Sequence, residues 1–364
     1  MQYRELGSTG LSVSRIGVGG FAFAITPRKE VERSIHRALD SGLNYFDSAR
    51  MYGSEGKIGR ALEGRRDRVV LSGKSHFRTP WEIEESLHTS LSELRTDYLD
   101  IFHVYDLQSE RELEEISAPG GILGLYEELK RQGKIRFIGV SGHDNQALVR
   151  ALKTGRFDVV YGRYNPLARE VSGSVIPLTR RLRRGFVAIS ALAWGIFSVP
   201  AQRHPVVLSG KTLPAATTAF RFALSNPGVD VVLAGVRTAE ELDELAALLS
   251  LPPLTPEESA QVVAQSEDLG KGQGCSQCQL CLPCPVGIDI PLYFRYLTYI
   301  RDYDAGEYPA LIWQAFAKPF SEACTECGLC FERCPFDLPI VETLRAVDRI
   351  AREMRHPTYR DEED

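Results

Sequence analysis

Tyr98–Leu107 reads YLDIFHVYDL, and this stretch decides the fold. Its apolar residues occupy both faces for most of its length, as in a strand buried on two sides, and it then ends on polar residues. Strand side chains alternate faces, so His103 and Tyr105 are expected on one face, roughly 6.6 Å apart along the chain. A buried strand that turns polar at its C-terminal end is either a capped core strand or the floor of a site. The neighbouring sequence separates the two.

On either side, short apolar runs alternate with longer amphipathic segments. The strand candidates are RIGVG (15–19), NYFD (44–47), RVVLS (68–72), YLDIFHV (98–104), IRFIGV (135–140), DVVYG (158–162), FVAISAL (186–192) and DVVLAG (230–235). Helical patterns lie between them, among them 31–40, 81–94, 123–132 and 239–249. Eight Val/Ile-rich strands, each followed by a helix, predict an α/β fold of the (β/α)8 TIM-barrel type. The competing open doubly wound sheet lacks a Gly-rich fingerprint after its first strand. Ahead of the first strand, YREL and LSVS flank GSTG and predict a small hairpin that plugs the barrel bottom. The Pro-rich LPPLTPEE (251–258) then divides the chain into a barrel over 1–252 and a small α-rich C-terminal domain over 253–364.

The net charge of −5 argues against a nucleic-acid partner, and Arg180, Arg181, Arg183 and Arg184 read as the solvated face of one helix. No apolar run is long enough to span a bilayer, and the charged, turn-rich opening MQYRELGSTG does not read as a signal peptide. A cytoplasmic location is expected. All eight cysteines fall after residue 274, too crowded for a disulfide framework in a chain of 364 residues, which points to metal.

Cys275, Cys278, Cys281 and Cys284-Pro285 are spaced C-x2-C-x2-C-x2-C-P; Cys324, Cys327, Cys330 and Cys334-Pro335 are spaced C-x2-C-x2-C-x3-C-P. Three thiolates at every third residue wrap one face of a cubane, and a Cys-Pro cysteine serves the neighbouring cluster. The alternative is a pair of zinc sites, for which a third cysteine three residues on has no use. Residues 270–340 resemble the bacterial two-cluster ferredoxins, although the first group is one residue shorter before its Cys-Pro. The resemblance implies a ferredoxin-like dicluster domain. One [4Fe–4S] would be held by Cys275, Cys278, Cys281 and Cys334, the other by Cys324, Cys327, Cys330 and Cys284.

Barrel chemistry sits at the C-terminal strand ends, which here carry Asp47 and Tyr52, Lys74, and then His103 and Tyr105. A Lys cation beside a phenol lowers the phenol's pKa, and a carboxylate keeps the Lys charged and oriented. The bland alternative is ordinary polar strand ends. LGSTGLSVSRIGVGG (6–20), FDSARMYGSEGKIGRAL (46–62), VVLSGK (69–74), GKIRFIGVSG (133–142) and GVRTAEELDEL (235–245) resemble the aldo-keto reductases across the whole barrel. With the cysteines, the chain is similar to their ferredoxin-bearing branch. The resemblance implies an oxidoreductase acting on a carbonyl-type or related unsaturated small molecule with NAD(P)H. Tyr52 is then the proton donor, tuned by Lys74 and Asp47. The family histidine that orients the carbonyl aligns with Tyr105. Either Tyr105 takes over its hydrogen bond, or His103 is a core histidine and the chemistry has changed.

The implied nicotinamide contacts also depart from the family. Ser141 is followed by Gly142, Tyr161 replaces a Gln, and Ile189 next to Ser190 replaces a stacking Tyr. Gly235 and Arg237 remain for phosphate contact, whereas Glu241 stands where an Arg often holds the adenosine 2′-phosphate, which disfavours NADP. No flavin motif is evident, and a flavin is not excluded. Cubane clusters pass single electrons, so a ferredoxin or flavoprotein donor is the implied partner. Two further readings stand beside the nicotinamide-dependent one. One is a nicotinamide-independent iron–sulfur enzyme; the other is a non-catalytic electron-transfer or interaction protein on a decayed barrel. The loops 108–121 and 200–213 name no substrate.

Overall fold

The computed structural model describes residues 2–198, 206–208, 210–270, 275, 279–302 and 323–353. A hairpin comes first, with β1 (Tyr3–Glu5) antiparallel to β2 (Ser12–Ser14). The barrel strands follow: β3 (Ile16–Gly19), β4 (Tyr45–Asp47), β5 (Val70–Ser75), β6 (Leu99–Leu107), β7 (Ile135–Gly142), β8 (Val159–Arg163), β9 (Gly185–Ile189) and, after a short hairpin β10 (Val206–Leu208)–β11 (Lys211–Leu213), β12 (Val231–Gly235). They close in the order β12-β3-β4-β5-β6-β7-β8-β9, with every barrel pair parallel. The connecting helices are α1 (Arg28–Asp40), α2 (Glu55–Ala61), α3 (Pro80–Glu93), α4 (Glu110–Ser117), α5 (Ile122–Arg131), α6 (Asn145–Lys153), α7 (Val175–Arg181), α8 (Ala215–Ser225) and α9 (Ala239–Leu248). Among the described residues no helix is long and apolar enough to cross a membrane.

Two apolar layers hold the barrel. Alternate strand residues such as Phe46, Leu71, Phe102, Val160 and Phe186 face the helices and form the larger core. The opposite alternation, with Tyr45, Val70, Ile101, Val159, Val187 and Val231, fills the lumen. Leu6, Leu11 and Val13 of the hairpin join this inner core, so the hairpin closes the barrel's N-terminal end. Gly7, at φ +57°, makes the close approach: a Cβ there would meet the Gly185 nitrogen at 2.3 Å.

Beyond the barrel, α10 (Pro256–Gly270) starts beside the C-terminal end of α8, where the Leu254 amide donates to Ser225 Oγ at 2.6 Å. It packs along α8 and reaches the loops at the strands' C-terminal ends. There Gln265 pairs with the Val207 backbone in both directions (2.9 and 3.0 Å), and Glu267 meets Arg169 at 3.0 Å. The cysteine-bearing segment carries α11 (Ile290–Asp302), α12 (Leu329–Glu332) and α13 (Ile340–Glu353) around its own apolar core. Helix α11 packs on the 3-10 turn Ala193–Ser198 that follows β9. Phe336 packs against both the barrel's outer core and the cysteine domain's core.

Candidate active site and cysteine centre

At the mouth, Asp47 ends β4 and Lys74 lies on β5, the adjacent strand. Lys74 Nζ donates to Asp47 Oδ2 at 2.5 Å and to the Ser48 carbonyl at 2.9 Å. Both side chains are buried, and burial pulls the Lys74 pKa down while the Asp47 charge opposes that pull. Tyr52 closes the 3-10 turn Arg50–Tyr52, its amide donating to the Ala49 carbonyl at 2.9 Å. Its ring centroid lies 5.2 Å from Lys74 Nζ and 5.2 Å from the Phe21 ring, edge to face. The three sequence-predicted residues Asp47, Tyr52 and Lys74 are therefore brought together, with a cation held beside a phenol.

His103 and Tyr105 part company. His103 is in register with Lys74 on one side and Gly139 on the other, and is fully buried. Its ring fills the notch that Gly139 leaves, where a Cβ would lie 2.2 Å from Nδ1, and it packs on the Tyr161 ring at 4.1 Å between centroids. Both ring nitrogens are buried with no close side-chain partner, and only a weak contact with the Val140 backbone favours a proton there. Burial first, and the Lys74 charge second, hold its pKa well below the usual histidine range, so the ring is neutral. Past Val104 the β6–β7 register shifts, and Asp106 takes φ +58°. Simple alternation therefore stops before Tyr105, which lies half-buried in this bulge with its carbonyl accepting from Arg78 Nη2 at 2.8 Å.

The residues expected at a nicotinamide are largely engaged by the protein itself. Ser141 Oγ accepts from the Asp106 amide at 2.9 Å. Tyr161 is fully buried, its hydroxyl 2.9 Å from Asp47 Oδ1, 2.7 Å from the Tyr45 hydroxyl and 3.0 Å from Ser72 Oγ. Ser190, at φ +56°, accepts at its carbonyl from Asn165 Nδ2 and the Ala193 amide. Glu241 caps α9: it accepts the Arg237 amide at 2.7 Å, lies 3.7 Å from the Arg237 guanidinium, and its own amide donates to Thr238 Oγ1. Gly235 ends β12 in an exposed position. A carboxylate thus lies against the cation expected to meet a phosphate, and these residues fit a dinucleotide poorly.

Four polar residues at this end of the barrel were not anticipated. Tyr45 and Ser72 lie two positions before Asp47 and Lys74 and share their inward faces; Arg163 lies two positions after Tyr161 and is buried at the end of β8. Strand alternation alone locates these three. The fourth, Glu55, opens α2 fully buried; Ser90 Oγ donates to it at 3.0 Å, and Arg50 lies 3.6 Å away. Burial pushes its carboxyl up to about 7.

In the C-terminal domain, Cys281 and Cys284 line one cavity together with Cys324, Cys327 and Cys330. Cys284 of the first group thus shares a chamber with three cysteines of the second. Ile288, Ile290, Val341 and Leu344 supply apolar walls, and the Glu326 amide lies 3.4 Å from Cys324 Sγ as a donor. A chamber lined by five cysteines, with Thr325 and Glu326 also on its wall, suits the thiolate ligation of an iron–sulfur cluster. Cys275 and Cys334 are partly buried in the same domain's core, and Cys278 lies outside the described residues.

Known proteins match both parts. Residues 15–267 match the model of the aldo/keto reductase family, and residues 274–339 match that of a 4Fe-4S dicluster domain. The chain is 26% identical to L-galactose dehydrogenase of Arabidopsis thaliana, over 70% of this chain and 90% of that protein. It is 26% identical to the aldo-keto reductase YhdN of Bacillus subtilis, over 68% and 88%. The holo form of an aldo-keto reductase from Bacillus halodurans superposes with a TM-score of 0.63 at 24% identity, covering 73% of this chain and 96% of that one, a likeness of fold. The chain belongs to the aldo/keto reductase family, as an oxidoreductase that carries a C-terminal 4Fe-4S dicluster domain.

Proposed function

We propose that the protein reduces a carbonyl-type or related unsaturated group of a small molecule held at the barrel mouth. Tyr52 gives the proton to the substrate oxygen, Lys74 tunes it, and Asp47 fixes Lys74. The observation that carries this reading is the buried Lys74–Asp47 contact of 2.5 Å with the Lys74 ammonium 5.2 Å from the Tyr52 ring. As the proton leaves, negative charge grows on the phenol oxygen, and a preorganised cation in a dry site stabilises it. Tyr105, half-buried at the strand end, remains the proposed neighbour of the substrate, and His103, fully buried behind it, is not assigned a substrate contact.

Family membership suggests a nicotinamide as reductant, yet Ser141, Tyr161 and Glu241 are engaged internally, so no step is assigned to one. The cysteine domain offers a second electron source. Cys275, Cys278, Cys281 and Cys334 would hold one cluster, and Cys324, Cys327, Cys330 and Cys284 the other. Two clusters that each exchange one electron would together supply the two electrons a carbonyl takes up on becoming an alcohol; of the two protons needed, Tyr52 gives the one on oxygen and water the one on carbon. The packing of α11 on the turn after β9, and of Phe336 into both cores, supports entry of electrons at the mouth. A low-potential one-electron carrier of the ferredoxin or flavoprotein class would supply them.

Anaerobically reconstituted protein, reduced through methyl viologen and given benzaldehyde, is expected to form the alcohol without NADH or NADPH. Tyr52→Phe should slow this by at least ~10²-fold, the usual contribution of a general acid. Undiminished turnover by Tyr52→Phe refutes the proton donor. Turnover only on addition of NADH or NADPH refutes the electron route.

A further inference from the structure

We propose that Tyr161 is the positioning residue of this site: its hydroxyl, fed by Tyr45 and Ser72, holds Asp47 so that Asp47 can hold Lys74. This role deepens the reading of Tyr52 as proton donor and rests on it only for its consequence in catalysis.

Hydrogen-bond polarity sets the direction of each contact. Asp47 uses its two oxygens separately, Oδ2 for Lys74 at 2.5 Å and Oδ1 for Tyr161 at 2.9 Å. An ionised carboxylate only accepts, so the single proton of the Tyr161 hydroxyl is committed to Oδ1. The Tyr161 oxygen must then accept from Tyr45 at 2.7 Å and from Ser72 at 3.0 Å. Two hydroxyls thus point at a third, and the third at one carboxylate oxygen. In a dry interior such a chain polarises cooperatively and favours the charged form of its acceptor. Burial and the Asp47 charge push the Tyr161 phenol well above its ordinary pKa, and burial does the same for Tyr45, so both remain donors.

The fold makes the arrangement rigid. Tyr45 and Asp47 share one face of β4, and Ser72 and Lys74 share one face of β5. Tyr161 arrives from β8, four places round the eight-strand barrel from β4 and so directly across the lumen. Its ring is clamped, with His103 against one face and Lys74 Nζ 5.4 Å from its centroid. His103 is in turn fixed by the Gly139 notch. A neutral histidine, fully buried and packed against this ring, reads as a brace for Tyr161.

The test needs no substrate. In the full-length, cluster-loaded protein with oxidised clusters and 15N-labelled lysines, the Lys74 ammonium signal is assigned by its loss in Lys74→Met, and its proton exchange with water is measured. Tyr161→Phe keeps the ring and removes the donor. Loss of a hydrogen bond to a charged group is worth about a factor of ten or more, so exchange should quicken at least ~10-fold. Tyr45→Phe and Ser72→Ala, which leave the Tyr161 donor in place, should quicken it less and in the same direction. An exchange rate unchanged in a folded, iron-replete Tyr161→Phe overturns the proposal. Should that variant fail to fold, unchanged rates in both Tyr45→Phe and Ser72→Ala overturn it. Undiminished turnover by Tyr52→Phe would sink the proton-donor reading and leave this result standing, so the two failures are distinguishable.

Discussion

Replacing Glu55 by glutamine should stabilise the protein at alkaline pH and make little difference in acid. Glu55 opens α2 with its side chain fully buried, one donor at 3.0 Å from Ser90, Arg50 at 3.6 Å, and Oε1 without a partner among the described residues. Burial is the largest influence on its carboxyl and pushes it from 4.5 up to about 7. The folded state therefore binds this proton more tightly than the unfolded chain does. Its cost to stability is absent below the unfolded value near 4.5, grows through the window between 4.5 and about 7, and is complete above it. At 1.36 kcal/mol for each tenfold change in affinity, the ionised form costs roughly 3 kcal/mol. The amide of Glu55→Gln would keep the shape and a hydrogen bond to Ser90 while never ionising. Urea unfolding of wild type and Glu55→Gln at pH 5 and pH 8, followed by circular dichroism and fluorescence, measures the difference; coincident transitions justify a single free energy. The advantage of the variant over wild type should grow by about 2–3 kcal/mol between the two pH values. Parallel behaviour within ~0.5 kcal/mol, the scatter expected of an inert substitution, would refute the idea that Glu55 is held against its charge.

Gly139→Ala should cost about 1–3 kcal/mol through overpacking, because its Cβ meets the His103 ring at 2.2 Å; adding His103→Ala should restore part of this, and thermal melts that fail to show the rescue would exclude the notch. Anaerobically purified protein should hold about eight irons per chain, and zinc without iron would refute the cluster assignment. Removing the iron should open the cysteine domain to protease before the barrel is cut, since a cavity lined by five cysteines without metal leaves that small domain short of core; simultaneous cleavage of both parts would contradict this.

Much of this architecture was legible because it rests on local period. Eight apolar runs alternating with helical ones specify a barrel, and the hairpin around GSTG is an antiparallel pair that closes its base. Asp47, Tyr52 and Lys74 were legible because each sits at a strand end or in the turn that follows. Tyr105 was harder to read. Placing it on the face of His103 assumes unbroken alternation, and the β6–β7 register shift after Val104 interrupts it. That bulge is fixed by pairing with β7 and by Asp106 in the left-handed region, a conformation Asp tolerates without requiring it. The seat of the C-terminal domain was not legible either, because it depends on α10 running back along α8 to the mouth and on Phe336 reaching two cores.

Tyr161 shows most clearly where linear reading stops. By resemblance it occupies a cofactor position, and by composition it is one more aromatic in a core strand. Its partner Asp47 is 114 residues away, and nothing short of closing the barrel brings β8 opposite β4. Once the barrel closes, polarity leaves little freedom. A buried Lys–Asp pair is costly unless its remaining hydrogen-bonding capacity is met, and the open demand here is Asp47 Oδ1. Ser48 supplies a carbonyl to Lys74, while Tyr161, backed by Tyr45 and Ser72, supplies the donor to Asp47. Three hydroxyls that look misplaced inside an apolar barrel are what allow a charged pair to exist there. Removing any of them shifts the balance toward a neutral pair, and with it the cation on which Tyr52 depends.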